Sequence, residues 1–218
     1  MYKKRIGISQ KFLRHPEYDE YLTCLDMNWF KFISSIGSLP IPIPLIMEKN
    51  SEEEIIESLK LDGLILSGGN SLAEYEVNSN ESKQLSKQRD QFELGLLRSA
   101  INLQLPVIGV CRGMQLINAF FNGNLIKVSG HVSTRHKVFR SLNQDIKINH
   151  DIVNSFHSFG IELNGLGSGL IDLAKDEDDN VEAFYHTEYK LLGIMWHPER
   201  EKSFNELDKT LFKNHFKS

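Results

Sequence analysis

Cys111 carries the most specific chemistry in this sequence. It stands in Gly109-Val110-Cys111-Arg112-Gly113, preceded by L-P-V-I and followed by M-Q-L-I-N-A-F-F. That order puts a thiol where a buried strand turns sharply into a helix. A tight turn projects the side chain clear of the sheet, and small residues two positions to either side relieve the crowding. The next backbone N–H, that of Arg112, then points at a developing oxyanion. The helix N-terminus favours thiolate over thiol. A buried structural cysteine is the competing reading. The other cysteine, Cys24, lies in Y-L-T-C-L-D, in a stretch read as helix with no turn or glycine around it, and is assigned to structure.

A thiolate needs a base. Met195-Trp196-His197-Pro198-Glu199 ends a hydrophobic run. The residue before a proline is pushed toward extended backbone, where residues i and i+2 lie on one side. His197 and Glu199 can therefore point together, the carboxylate fixing the imidazole tautomer. His15, His136, His150, His186 and His215 have no such setting and read as surface histidines. Gly68-Gly69 follows the apolar run L-I-L-S, and a glycine pair at the end of a parallel strand lets backbone N–H groups approach a ligand.

The elements around these residues alternate. Arg5–Ser9, Gly63–Ser67 and Pro106–Val110 read as strands. Tyr18–Ile36, a segment opened by Ser51 with Glu54 as a capping box, Gln84–Asn102, and Cys111 to about Phe121 read as helices. Leu39–Ile46, with three alternate prolines, reads as an extended sheet edge. Residues 145–149, 153–157, 170–174, 181–185 and 191–196 are further strand candidates, and the acidic cluster 176–179 reads as a solvated hairpin turn. The pattern predicts an open, mostly parallel α/β sheet with helices on both faces, the nucleophile at a strand-to-helix elbow. No repeat or long linker divides the chain, so one domain over residues 1–218 is expected.

Composition agrees with a globular chain able to build a sizeable core. The chain has 218 residues, 40% of them hydrophobic, with 15 Gly and 6 Pro, which excludes collagen-like and low-complexity classes. A net charge of −4 gives no basic footprint for nucleic acid or a membrane surface. No apolar run approaches a membrane span or a secretory h-region. A cytoplasmic protein with two free thiols is expected.

In order, S-G-G-N (67–70), R-D-Q-F-E (89–93), L-P-V-I-G-V-C-R-G-M-Q-L-I-N (105–118), V-N-S-F-H (153–157) and G-I-M-W-H-P-E (193–199) resemble the class I glutamine amidotransferase superfamily. The nearer likeness is to the stand-alone γ-glutamyl hydrolases of the γ-glutamyl-γ-aminobutyrate hydrolase type. The resemblance implies a Cys111-His197-Glu199 triad, an oxyanion hole from the backbone of Gly69 and Arg112, and Gln115 near a bound γ-glutamyl group. The α-amino and α-carboxylate groups of that substrate need polar partners, for which Gln115, Arg89, Glu93, Ser155 and His157 are candidates. For Arg89 and Glu93 a solvated helix face is an equal alternative. His131 lies in a polar loop that could form one wall. Ser158-Phe159 departs from the family pattern beside His157, so the leaving-group side differs. Arg112, Arg135, Lys137 and Arg200 are cations near the motifs that an anionic leaving group would use.

The expected partner is a small-molecule γ-glutamyl substrate, not nucleic acid or a membrane. A homo-oligomer or a partner synthetase stays open, and so does the alternative of a glutaminase subunit delivering ammonia to a separate synthetase. No metal or organic cofactor is expected, since neither C-x-x-C nor H-E-x-x-H spacing occurs.

Overall fold

A computed structural model of the chain describes residues 2–46, 52–141 and 146–217. Strand β1 (Arg5–Ser9) is followed by a small antiparallel pair, β2 (Lys11–Arg14) and β3 (Tyr21–Cys24), then helix α1 (Met27–Ser35) and strand β4 (Leu39–Ile43). Next come α2 (Glu52–Ser58), β5 (Gly63–Leu66), α3 (Asn80–Asn102), β6 (Val107–Val110) and α4 (Arg112–Phe120). The second half holds β7 (Ile126–Lys127), β8 (Val132–Lys137), β9 (Phe139–Arg140), β10 (Ile152–Phe156) and β11 (Phe159–Gly160). It closes with β12 (Leu170–Lys175), β13 (Val181–His186), β14 (Leu191–Ile194) and α5 (Glu206–His215).

Eight strands form one sheet in the order β4-β1-β5-β6-β14-β13-β12-β9. The first five are mutually parallel and the last three antiparallel. The inner parallel strands β1, β5, β6 and β14 are buried on both faces, and their alternating side chains feed two cores. Ile6, Ile8, Ile65, Ile108, Val110 and Ile194 meet Trp29, Phe32 and Ile33 of α1 and Leu211 and Phe212 of α5. Leu64, Leu66, Val107 and Leu191 meet α2, α3 and α4 through Ile55, Phe92, Leu96, Leu97, Met114 and Ile117. This is the expected mostly parallel sheet with helices on both faces. The proline-rich segment forms the edge strand β4, and 176–179 turns between antiparallel β12 and β13. No helix among the described residues is long and apolar enough to cross a membrane.

Several local expectations are corrected. Tyr18–Ile36 is not one helix. Tyr21–Cys24 pairs antiparallel with Lys11–Arg14, and α1 starts only after Asp26, whose side chain accepts from Asn28 N–H. The inward helical spacing belongs to Trp29, Phe32, Ile33 and Ile36, while Tyr21 and Leu22 are exposed. Cys24 therefore ends a strand rather than sitting mid-helix. Helix α3 begins four residues early, where Ser79 accepts from Ser82 N–H. Residues 146–149 form no strand. The Ser51 cap lies outside the described residues. Asp176 is not solvated; its carboxylate accepts from the N–H groups of Asp178 and Asn180 and so builds the turn. His150, His186 and His215 are buried, not on the surface.

The elbow between β6 and α4 rests on glycine. A Cβ on Gly113 would lie 2.0 Å from the carbonyl oxygen of Leu66, and one on Gly109 would lie 2.6 Å from Gly113 backbone. Gly113→Ala is expected to lose at least about 2 kcal/mol of stability through overpacking, read from urea unfolding. An unchanged midpoint would show that α4 can lift away from β5 freely.

Candidate active site

Parallel strands in one sheet bring their C-terminal ends to one edge, where ligands bind in open α/β folds. Here β5 delivers Ser67-Gly68-Gly69, β6 delivers Cys111, and β14 delivers Met195-Trp196-His197. Cys111 itself has φ 52° and ψ −105°, a conformation that side chains rarely adopt and that costs on the order of 1–3 kcal/mol. Its N–H donates to Ile194 O at 2.8 Å, tying the elbow to the strand that carries the histidine.

His197 Nδ1 lies 2.7 Å from Glu199 Oε1, both residues being buried. A carboxylate accepts, so Nδ1 carries the proton and Nε2 is left available to the thiol. Burial by itself would lower the His197 pKa. The charges of Glu199 and Cys111 outweigh it and push the group up to about 9. Burial would raise the Cys111 thiol, but the His197 charge and hydrogen bond, then His157 and Arg200, bring it below its ordinary value. Both shifts favour the thiolate–imidazolium form of the pair.

Two residues that the motifs did not single out hold this pair. The Asn154 side chain accepts from His197 N–H and donates to His197 O, both at 2.8 Å. Asp208 of α5 accepts from Trp196 Nε1–H at 2.9 Å, fixing the residue before the histidine. The asparagine of V-N-S was the one available signal; nothing in the sequence linked Asp208 to the site. Gly68 is the other constraint, since a Cβ there would sit 2.5 Å from His197 Cε1.

Arg89 and Glu93 are neither on a solvated face nor in an open cleft. Both are fully buried. Arg89 Nε donates to Glu93 at 2.9 Å, and its Nη2 donates to Ser67 O at 2.9 Å and Gly68 O at 3.2 Å. Burial and the Arg112 charge push Arg89 down to about 10, which leaves it charged at neutral pH. The Arg112 guanidinium pairs with Glu93 and Asp90. It is therefore not available as a leaving-group cation. Gly68 O is held by Arg89, and in a trans peptide the N–H lies opposite the carbonyl. The Gly69 N–H accordingly points away from Arg89. Ser155 is buried and donates to His131 O at 2.7 Å, and Gln115 donates to Phe159 O at 2.9 Å. His157 is buried, its Nδ1 donating to Phe159 O at 3.0 Å. Lys137 is exposed on β8, 3.9 Å from Glu177.

The profile of the Peptidase C26 family matches residues 5–199. The chain belongs to that family, among the class I glutamine amidotransferase-like proteins. This Peptidase C26 member is 33% identical over 205 residues to the gamma-glutamyl-CDP-amidate hydrolase of Campylobacter jejuni, covering 93% of each chain. Its fold matches a Thermoplasma acidophilum protein described as part of a GMP synthase (TM-score 0.71, 18% identity, 99% of this chain and 94% of that one). It also matches a glutamine amidotransferase of Thermotoga maritima (TM-score 0.68, 14% identity, all of both chains). Family and whole-length relative together make the protein a glutamine amidotransferase-like hydrolase.

The electrostatics set a pH test. Alkylation of Cys111 by iodoacetamide, followed by mass spectrometry, is expected to titrate at lower pH than that of an ordinary thiol, because the imidazolium stabilises the thiolate. Glu199→Gln removes the charge that raises His197, so imidazolium is lost at lower pH and the alkylation profile moves to higher pH. An identical profile in the variant would remove Glu199 from the tuning of the pair.

Proposed function

We propose that the protein hydrolyses a γ-glutamyl amide through a thioester on Cys111, and that its substrate is γ-glutamyl-CDP-amidate, in capsule phosphoramidate synthesis. The observation that carries the chemistry is the buried His197–Glu199 pair at 2.7 Å beside a thiol of lowered pKa. The Cys111 thiolate attacks the γ-carbonyl carbon. The oxygen takes the negative charge and is stabilised by the N–H groups of Gly69 and Arg112. The tetrahedral intermediate collapses, the C–N bond breaks, and His197 Nε2–H gives its proton to the leaving nitrogen. Water then attacks the thioester while Nε2 takes a proton back, and glutamate leaves with the thiol restored. Glu199 keeps the proton on Nδ1 throughout. Gln115 is the proposed contact to the glutamyl group, with Ser155 and His157 supporting the wall.

A groove of about 530 Å³ supports the nucleotide part of the reading. It is lined by Phe156, Arg200 and Lys202, by the hydroxyls of Ser133 and Thr134, and by Arg135 in an ion pair with Glu201 at 2.8 Å. Phe156 stands edge-on to the His197 ring at 5.7 Å, and the Arg200 guanidinium lies 4.5 Å from the centre of the same Phe156 ring. Cations and an aromatic face are what phosphates and a base require. Lys137 and Arg112 line no part of it. A larger cavity of about 710 Å³ opens between α5 and β13, away from Cys111, and holds none of the chemistry.

Purified protein alone should turn over γ-glutamyl-CDP-amidate with kcat/KM at least about 100-fold above glutamine or γ-glutamyl-aminobutyrate, or about 2.7 kcal/mol of transition-state binding. Equal rates on all three would reject leaving-group selection. Activity appearing only with an added synthetase would make the chain a glutaminase subunit. Cys111→Ala should lose at least about three orders of magnitude in turnover, whereas Cys24→Ala should retain activity. An active Cys111→Ala protein would sink the assignment.

A further inference from the structure

Beside the Cys111 site lies a second cluster that the hydrolysis does not use in full. His131 precedes β8, His136 is on β8, His157 follows β10 and Glu182 is on β13. One ligand atom from each lies within 4.8 Å of every other. His131, His157 and Glu182 are buried. Both oxygens of Glu182, both ring nitrogens of His136 and Nε2 of His157 are buried without a hydrogen bond. Their nearest polar neighbours are one another, at 3.5 Å, and several imidazoles gathered around one buried carboxylate are a donor set that a common ion can share.

We propose that His131, His136, His157 and Glu182 bind one divalent d-block cation, with Zn²⁺ the best fit. The donor set decides the class. Three imidazoles and one carboxylate match a borderline ion, whereas Mg²⁺ and Ca²⁺ take oxygen-rich shells. The spacing is close to what the ion needs. Glu182 Oε2 lies 3.5 Å from His136 Nε2, and Glu182 Oε1 lies 3.5 Å from His157 Nε2. A tetrahedron with bonds of about 2.0–2.1 Å has edges of about 3.3 Å, and each imidazole stands at nearly that distance from one of the two Glu182 oxygens. The surroundings also match. The Nδ1–H of His157 donates to Phe159 O at 3.0 Å, which presents Nε2 as its free nitrogen. Asp176 stands 3.5 Å from His131 Nε2, and is itself held by Asn180. A backbone carbonyl or a carboxylate on the far nitrogen is the usual support of a ligating histidine.

The ion has a structural task in this fold. Among the described residues β8 and β10 pair with each other and not with the eight-stranded sheet. They carry Asn154, which clamps His197, and Phe156, which faces the groove. Three ligands sit on or next to this hairpin and the fourth, Glu182, on the main sheet. The cation staples one to the other. The spacing 131, 136, 157 and 182 forms no sequence motif, which is why the expectation of a metal-free protein followed from the missing C-x-x-C and H-E-x-x-H patterns.

The test uses chelator-treated full chain carrying Cys111→Ala, so that the thiol cannot bind the ion. Calorimetric titration with Zn²⁺ should give one ion per chain, and saturating Zn²⁺ should raise Tm. Adding His136→Asn and Glu182→Gln should weaken binding at least about 100-fold, beyond the loss of an outer partner, and abolish the Tm rise. Should that variant fail to fold, Co²⁺ added to the parent decides: intense visible bands of four-coordinate cobalt support the site, and the weak bands of hexa-aqua cobalt overturn it. No stoichiometric binding, or equal affinity in the variant, would show that the cluster holds protons and water instead.

Discussion

The strained turn at Cys111 is the constraint on which the rest of the structure depends. A residue at φ 52° and ψ −105° does not hold that shape unaided. The shape is imposed from every side. Gly113 lets α4 approach Leu66 O, the Cys111 N–H is taken by Ile194, and the Cys111 carbonyl accepts from Gln115 N–H at 3.0 Å. Beneath the turn, Arg112 is anchored to Glu93 and Asp90, and Glu93 in turn holds Arg89 against the Ser67 and Gly68 carbonyls. One buried ion network thus fixes the nucleophile turn and the glycine loop relative to each other. Burial opposes the charge on Glu93, yet the two arginines keep its pKa below the ordinary value. Breaking any member would leave a buried charge uncompensated, which is far more damaging than losing a surface pair.

Charge placement at the surface of the site follows from the same economy of burial. His197 is sealed between Gly68, Phe156 and Asn154, and its proton is retained because Glu199 and Cys111 supply opposite charge at close range. Arg200 stands 3.7 Å from Glu199 while resting on Phe156. It therefore touches both the charged pair and the groove, a natural boundary between the reacting bond and a leaving group. Side chains of the β8–β10 hairpin complete that boundary, which is why its attachment to β13 matters for the geometry around His197.

The amino-acid sequence by itself determined the elements whose signals are local. G-x-C-x-G between a β-branched run and an amphipathic run specifies an elbow, because only glycine allows the close backbone approach seen at positions 109 and 113. His-Pro-Glu specifies two side chains on one side of an extended segment, and they do meet. Alternating apolar runs specified the parallel sheet. Tertiary structure decided whatever depends on partners distant in the chain. Tyr21–Cys24 became a strand because Lys11–Arg14 offered a backbone ladder that no helical periodicity could reveal. Arg89 and Glu93 read equally as solvated charges until Arg112 and the Ser67 carbonyl arrived to neutralise them in the interior. His136, read as a surface residue, lies with His131, His157 and Glu182 because the β8–β10 strand pair brings it to β13. The physical reason is common to all three: burial and charge pairing are sums over neighbours in space, and a chain read in order contains only those neighbours that are also close in sequence.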